Sequence, residues 1–195
     1  MQNTTTYKLC IHGPWRSGKS SIMFRYFQNN FSEDNRYTGV DSMAKEYTIN
    51  DRNIKLEFWD RQSCERFRAL PLSYIVNSDA FIFPFDLTSY SSYKDIKAML
   101  EELQDICNRE AYHNPIVYLI GNKSDLEQDP LIKDEEVQSF VDGHKMYYIK
   151  VSCKTGNGFE RLHQIPYDLS HLTPRHQSKS IKLTKPKRDP NKIYC

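Results

Sequence analysis

The sequence of 195 residues contains no long apolar segment. Its longest apolar runs, residues 80–85 and 115–121, reach about a third of the ~18 residues that a membrane-spanning helix requires. Residues 1–7 are polar and are not followed by an apolar segment with a cleavage site, so we expect no secretory signal. These absences predict a cytoplasmic protein without a transmembrane helix.

Paired cysteines are absent as well. The sequence has five cysteines, widely spaced and never in a C-x-x-C pair: Cys10, Cys64, Cys107, Cys153 and Cys195. This pattern argues against a disulfide framework and a zinc site and is typical of reduced thiols in the cytosol. The composition, 38% hydrophobic and 27% charged with a formal net charge of +2, excludes unfolded and fibrous proteins.

The small net charge conceals an uneven distribution. Residues 174–195 contain seven basic residues and one acidic residue, a charge of +6, which leaves −4 for residues 1–173. The C-terminal stretch also has three prolines and few apolar residues, so it cannot bury enough surface to fold. We therefore expect a folded domain over residues 1–172 and a flexible basic tail over residues 173–195.

Short apolar runs alternate with helical patterns through the domain. This order predicts an α/β fold with a mostly parallel sheet. The predicted strands are residues 7–11, 44–49, 54–59, 80–85, 116–120 and 146–151; the predicted helices are residues 19–27, 95–107, 134–142 and 159–169, with a short helix after Glu65.

A phosphate-binding motif is the strongest local signal. Residues 13–20 match G-x-x-x-x-G-K-[ST] and lie between a predicted strand and a predicted helix. In such a loop the backbone N–H groups surround phosphates, Lys19 supplies a positive charge and the Ser20 hydroxyl can bind Mg²⁺. The alternative is a glycine-containing turn without a ligand, which gives no reason for a lysine and a serine after Gly18.

Residues 122–125, Asn-Lys-Ser-Asp, indicate which base is bound. They follow a central apolar strand, where the carboxyl end of a strand meets the ligand crevice of an α/β sheet. The carboxylate of Asp125 can accept both N–H donors of guanine, whereas adenine presents no such pair. An Asx turn with a solvated lysine would explain these four residues alone, but not their combination with the phosphate loop.

The phosphate loop, Asp60, residues 122–125 and residues 152–154 resemble the Ras-superfamily small GTPases in order and spacing. Residues 38–41, 55–59 and 65–68 are similar to the Rab branch. The resemblance covers about residues 7–172. It implies a three-layer P-loop G domain: a mostly parallel six-stranded sheet with one antiparallel strand, and helices on both faces. It also implies a GTP/GDP switch that recruits effector and regulator proteins in vesicle-mediated transport and signal transduction.

The resemblance also implies roles for individual residues. Phe31 would lie edge-on to the guanine, Lys123 along its face, and residues 152–154 would close over it. Mg²⁺ would be held by Ser20 and Thr38, with Asp60 acting through water. The implied nucleotide contacts are Gly13, Trp15, Arg16, Ser17, Gly18, Lys19, Ser20, Ser21, Phe31, Thr38, Asn122, Lys123, Asp125, Ser152, Cys153 and Lys154.

The segment after Asp60 departs from the Rab pattern. Rabs read Thr-Ala-Gly-Gln-Glu there, whereas residues 61–65 read Arg-Gln-Ser-Cys-Glu. Cys64 replaces the glutamine that orients the attacking water, and a thiol is too short and too weak a hydrogen-bonding group for that role. Gln62 lies two positions too early, and Ser63 replaces the glycine whose backbone N–H approaches the γ-phosphate. No catalytic residue is therefore assigned.

The phosphate loop and the first switch depart as well. Trp15 and Arg16 occupy positions where small GTPases usually carry glycine, so we expect Trp15 to obstruct the catalytic geometry and Arg16 to adopt a positive φ. In the first switch, Rabs read Thr-Ile-Gly-Val-Asp-Phe, whereas residues 38–42 read Thr-Gly-Val-Asp-Ser, so one aliphatic residue of the Rab pattern is absent. Counting from Lys19 keeps Thr38 as the metal ligand and counting back from Asp60 puts Tyr37 there; we prefer Thr38, whose hydroxyl is short enough to bind Mg²⁺.

The tail resembles a Rab hypervariable tail that carries a prenyl group on Cys195. It lacks the C-a-a-X box and the paired cysteines of most Rabs, and a solvated basic tail with a free thiol is the alternative. One lipid with adjacent basic residues would suffice for the cytosolic face of an anionic membrane. Without interleaved aromatic residues, nucleic acid is not an expected partner.

Two functions remain at this point. The first is a Rab-like GTPase that binds GTP and GDP with Mg²⁺ and hydrolyses GTP slowly, because Cys64 and Trp15 replace the usual glutamine and glycine. The second is a pseudo-GTPase in which Trp15 fills the phosphate site. Such a protein would bind nucleotide poorly, or only GDP, and would act as a fixed docking module.

Overall fold

The computed structural model of the protein describes residues 4–32, 42–60, 78–109 and 115–174. Its strands are β1 (Thr5–Ile11), β2 (Ser42–Ile49), β3 (Arg52–Asp60), β4 (Ala80–Asp86), β5 (Ile116–Asn122) and β6 (Tyr147–Lys150). Its helices are α1 (Lys19–Gln28), α2 (Tyr90–Arg109), α3 (Asp134–Gly143), α4 (Phe159–Leu162) and α5 (Ile165–Ser170).

Within these residues the strands form one six-stranded sheet in the order β2-β3-β1-β4-β5-β6. β2 pairs antiparallel with β3, and the neighbouring pairs from β3 to β6 are parallel. The expected mostly parallel sheet with one antiparallel strand is confirmed.

Alternating side chains of the central strands supply two separate cores. On β4, Ala80 and Ile82 pack in one core with α1, α4 and α5, while Phe81 and Phe83 pack in the other with α2 and α3. Because successive side chains of a strand point to opposite faces, the sheet is covered by helices on both sides. The expected three-layer α/β arrangement is confirmed.

Pro84 stands inside the central strand β4, where proline is normally excluded because it donates no ladder hydrogen bond. The Ile82 carbonyl accepts a hydrogen bond from the His12 N–H at the end of β1. Because backbone groups two residues apart on a strand face the same neighbour, the nitrogen of Pro84 also faces the side of β1. β1 has already ended at Ile11 there. Gly13 lies beside Pro84 at this point, and a Cβ on Gly13 would lie 2.7 Å from the Pro84 carbonyl oxygen. Glycine is therefore required where the chain leaves β1.

The final predicted helix, residues 159–169, is two short helices in the structure, α4 and α5. The reason is Pro166, which has no N–H to donate to the carbonyl four residues earlier and so interrupts a continuous helix. The helix predicted over residues 95–107 begins earlier, at Tyr90. The short helix predicted after Glu65 and most of the proposed tail lie outside the described residues, and the domain boundary stays a prediction.

No helix in the described part of the chain is long and apolar enough to cross a membrane.

Several strands of the sheet carry a polar residue at their carboxyl ends. Asp60 ends β3, Asp86 ends β4 and Asn122 ends β5, while the chain leaves β1 through Gly13. In parallel α/β sheets the carboxyl edge is where ligands bind. The fold thus collects these side chains around one crevice.

Replacing Gly158 by alanine should strongly destabilise the fold. Gly158 has φ of 81°, and a Cβ there would lie 2.1 Å from the Lys150 carbonyl oxygen, so both the backbone and the neighbouring strand must move. We expect the free energy of unfolding in urea to fall by about 3 kcal/mol.

Gly143→Ala is the matched control, because a Cβ at this helix end meets nothing within 4 Å. It should leave the stability unchanged or raise it by up to ~1 kcal/mol. Equal effects of the two substitutions would contradict the packing described for Gly158.

Candidate nucleotide-binding site

The phosphate loop, residues 13–18, is closed by its own lysine. The ammonium of Lys19 donates hydrogen bonds to the carbonyl oxygens of Gly13 (3.0 Å) and Pro14 (2.9 Å), and the residue is only 7% exposed. The Ser17 hydroxyl donates to the same Pro14 carbonyl at 2.9 Å. The loop is therefore folded around a buried positive charge at the N-terminus of α1.

Two residues of the loop adopt left-handed backbone conformations. Arg16 has φ of 61° and Gly18 has φ of 93°, so the expected positive φ of Arg16 is confirmed. A Cβ on Gly18 would lie 2.1 Å from the Asn122 amide nitrogen. Gly18 thus allows the close approach of the loop to β5.

Trp15 points out of the loop. Its side chain is 69% exposed, the largest value among the exposed hydrophobic residues described. The indole does not fill the phosphate site in this structure. The pseudo-GTPase hypothesis expected Trp15 to fill that site. The loop stays folded around Lys19, and the tryptophan lies at its outer surface.

The Asn122 side chain joins three segments of the site. It is 2% exposed, and its amide nitrogen donates to the Ser17 carbonyl at 2.9 Å. Its amide oxygen accepts hydrogen bonds from the Lys123 N–H at 2.8 Å and from the Cys153 thiol at 3.3 Å. The phosphate loop, residues 122–125 and residues 152–154 are thereby fixed to one another.

Asp125 is oriented by Ser152. The buried Ser152 hydroxyl donates to one carboxylate oxygen of Asp125 at 2.6 Å, while Asp125 itself is exposed. A carboxylate held in this way presents its acceptors in a fixed direction, which is what pairing with two neighbouring N–H donors requires.

Lys123 is held by Asp86, which the sequence analysis did not identify. Its ammonium forms an ion pair with the Asp86 carboxylate at the end of β4. Burial acts to raise the pKa of Asp86, but hydrogen bonds from Lys123 and Thr88 outweigh it and lower that pKa below its ordinary value. The position of Asp86 at the carboxyl edge of a central strand was the available signal.

A cavity of about 430 Å³, here called the base cavity, lies between these segments. Its volume falls within the range of small-molecule sites. Phe31 borders it and packs partly on the core behind. Among the residues that the structure describes, the lining is Arg16, Gly18, Ser21, Phe31, Ser32, Asn122, Lys123, Asp125, Leu126, Cys153 and Lys154.

Residues 152–154 are held over the cavity by Arg25, a second contact that sequence analysis missed. The Arg25 guanidinium donates to the Lys154 carbonyl oxygen at 2.9 Å and to the Asn29 carbonyl oxygen at 3.0 Å. Arg25 belongs to α1, so the helix that begins at the phosphate loop also supports the far side of the base cavity.

Ser20 and Asp60 fit a magnesium ion. The Ser20 hydroxyl donates to an Asp60 carboxylate oxygen at 2.8 Å, and Asp60 is 4% exposed. Hydroxyl and carboxylate oxygens are the ligands that Mg²⁺ prefers, together with water and substrate phosphates. Within the described ranges no group of three His, Cys, Asp or Glu residues could hold a metal ion alone. Thr38 and Tyr37, the two alternatives for the metal ligand of the first switch, lie outside these ranges, as do residues 61–65.

Comparison with known proteins identifies the family. A family model described as "Ras: Ras family" matches residues 8–166. This chain belongs to the Ras family. Its similar relatives carry Rab names, and the expected Rab-like resemblance is confirmed.

Three of these relatives span most of the chain. The protein is 34% identical to Ras-related protein Rab-18 of Lymnaea stagnalis over 157 residues, 80% of this chain and 76% of the relative. It is 30% identical to Rab-11C of Dictyostelium discoideum over 161 residues, 80% and 70% of the two chains. It is also 30% identical to human Rab-30 over 157 residues, 80% and 75%.

The Cys153 thiol should react slowly. Cys153 is 3% exposed, and burial raises the pKa of its thiol to about 12, despite the Asn122 hydrogen bond and nearby cations, which act to lower it. Because the thiolate is the nucleophile, alkylation by iodoacetamide at pH 8 should be on the order of a thousand times slower than for a free cysteine.

Peptide mass spectrometry after timed alkylation would resolve this site from the other cysteines, with urea-unfolded protein as the control. The rate should increase as the pH rises toward 12. Alkylation at pH 8 as fast as in urea would contradict the burial of this thiol.

Proposed function

We propose that this Rab-like member of the Ras family is a guanine-nucleotide switch that binds GTP and GDP with Mg²⁺ and hydrolyses GTP slowly. In each nucleotide state it would present a different surface to effector and regulator proteins. The observation that carries the proposal is the fixed Asp125 carboxylate at the base cavity, linked to the phosphate loop through Asn122.

Guanine selection follows from the pairs Ser152–Asp125 and Asp86–Lys123. The carboxylate of Asp125 accepts the N1–H and the exocyclic N–H₂ of guanine. Adenine offers an acceptor in place of the N1–H, which would leave a carboxylate facing a lone pair. Lys123 lines the cavity, and its ammonium is paired with Asp86.

Phosphate binding falls to Lys19 and the loop backbone. The lysine charge, the N–H groups of the loop and the positive end of α1 all favour an anion at this position. Mg²⁺ would be held by Ser20 and Thr38, with Asp60 acting through water. When bound, the ion neutralises charge on the phosphate oxygens.

Slow hydrolysis is attributed mainly to Cys64. Binding would rest on Lys19, Asn122 and Asp125, whereas water positioning requires an amide group that Cys64 lacks. The exposed indole of Trp15 obstructs the loop less than its position in the motif suggests. Ground-state binding and turnover are therefore separated in this chain.

The Rab names of the relatives support a role in vesicle-mediated transport. We further propose that the basic tail and a prenyl group on Cys195 attach the protein to the cytosolic face of a membrane. Seven basic residues near an anionic leaflet would each add ~1 kcal/mol to the weak anchoring of one lipid.

Asp125→Ala should abolish guanine recognition. Two charge-assisted hydrogen bonds to the base are lost, so the affinity for GDP should fall at least about a hundredfold. The preference for GDP over ADP should disappear with it. Calorimetric titration of nucleotide-stripped protein with each nucleotide measures both effects.

Glu127→Ala is the matched control, since it removes an exposed carboxylate from the same loop outside the base cavity. Its affinity for GDP should equal that of the wild type. If both variants bind GDP like the wild type, Asp125 does not recognise the base and the proposed function fails.

Cys64→Gln should restore turnover. Supplying the amide that orients water should raise the single-turnover rate of GTP hydrolysis at least about tenfold, equivalent to ~1.4 kcal/mol of the barrier. Trp15→Gly, which removes an indole that already lies in solvent, should change that rate by less than about twofold. A Trp15→Gly variant that restores turnover by itself would overturn this assignment.

A further inference from the structure

Arg16 adopts a backbone conformation that costs energy for an arginine. Its φ is 61°, in the left-handed region that glycine enters freely and that other L-residues adopt at a cost. Strain of this kind persists only where the surrounding structure imposes it, and it is enriched at ligand-binding sites. The side chain of Arg16 therefore needs a physical explanation.

The Arg16 side chain places a positive charge at the rim of the base cavity. It is exposed and borders the cavity next to Gly18 and Ser21, on the side of the phosphate loop. It forms no hydrogen bond or ion pair with any residue that the structure describes. By contrast, Lys123 on the same cavity is paired with Asp86.

We propose that Arg16 captures the nucleotide electrostatically by attracting its phosphates into the site. This inference rests on the proposed function and adds a determinant of association to it. An exposed charge at the rim of a binding site acts mainly on the association rate and its salt dependence, and less on dissociation. The tolerated strain of Arg16 is the structural cost of placing a charge where a glycine would fit without strain.

The chain offers a matched control at the opposite edge of the sheet. Lys145, between α3 and β6, is also exposed, cationic and left-handed, with φ of 55°. It borders none of the base cavity. Lys145→Gly thus removes the same charge and the same strain as Arg16→Gly, without touching the site.

The test is stopped-flow association of a fluorescent GDP with stripped protein over a range of salt concentrations. At ~0.02 M salt, Arg16→Gly should associate on the order of three- to tenfold more slowly than the wild type. The difference should vanish near ~1 M salt, where the Debye length is about 3 Å. Arg16→Lys, which keeps the charge, and Lys145→Gly should each match the wild type within about twofold.

A ligand without phosphates distinguishes an effect of the Arg16 charge from a change in the shape of the cavity. Guanosine lacks phosphates, so its affinity measured by competition should be the same for the wild type and Arg16→Gly. Both glycine variants should melt at or above the wild-type temperature without nucleotide, because they relieve the same strain.

Unchanged association of Arg16→Gly at low salt would overturn the inference, as would an equal loss in Lys145→Gly or in Arg16→Lys. In those cases the proposed function would stand, provided that the wild type binds GDP. A wild type that binds no GDP at any salt concentration would overturn both.

Discussion

The site depends on one buried amide. Asn122 donates to the phosphate loop and accepts hydrogen bonds from Lys123 and Cys153, so three loops that are far apart in sequence share one side chain. An unsatisfied buried amide is costly, and the three loops can separate only by breaking these bonds. The geometry of phosphate and base recognition is therefore set together, at the carboxyl end of β5.

In the proposed function, nucleotide binding and GTP hydrolysis depend on different parts of the chain. The groups that would hold nucleotide lie at the carboxyl ends of strands or at the start of α1, where the sheet fixes their positions. The group that would orient water belongs to the segment after Asp60, in which Cys64 replaces a glutamine. Under the proposed function, a substitution there would reduce turnover without loosening the contacts of Lys19 or Asp125. Such a separation would explain how this sequence departs from the Rab pattern after Asp60 while keeping the fold of its family.

Sequence patterns predicted the features that are local in the chain. The phosphate loop, the sheet class and the positive φ of Arg16 follow from motifs and backbone preferences that a few neighbouring residues specify. The pair Asp86–Lys123 joins residues 37 positions apart, and no spacing rule reveals it. The exposure of Trp15 was also missed, because the direction of a side chain depends on the conformation of its loop. The division of the last helix into two could have been predicted from Pro166, because proline interrupts a helix.

The proposed function requires a pocket that retains guanine nucleotide and hydrolyses GTP slowly. The most direct measurement is to denature freshly purified protein and identify the released nucleotide by chromatography. We expect close to one guanine nucleotide per chain, with intact GTP as a substantial part of it. Protein that releases no nucleotide, or an adenine nucleotide, would contradict the central claim.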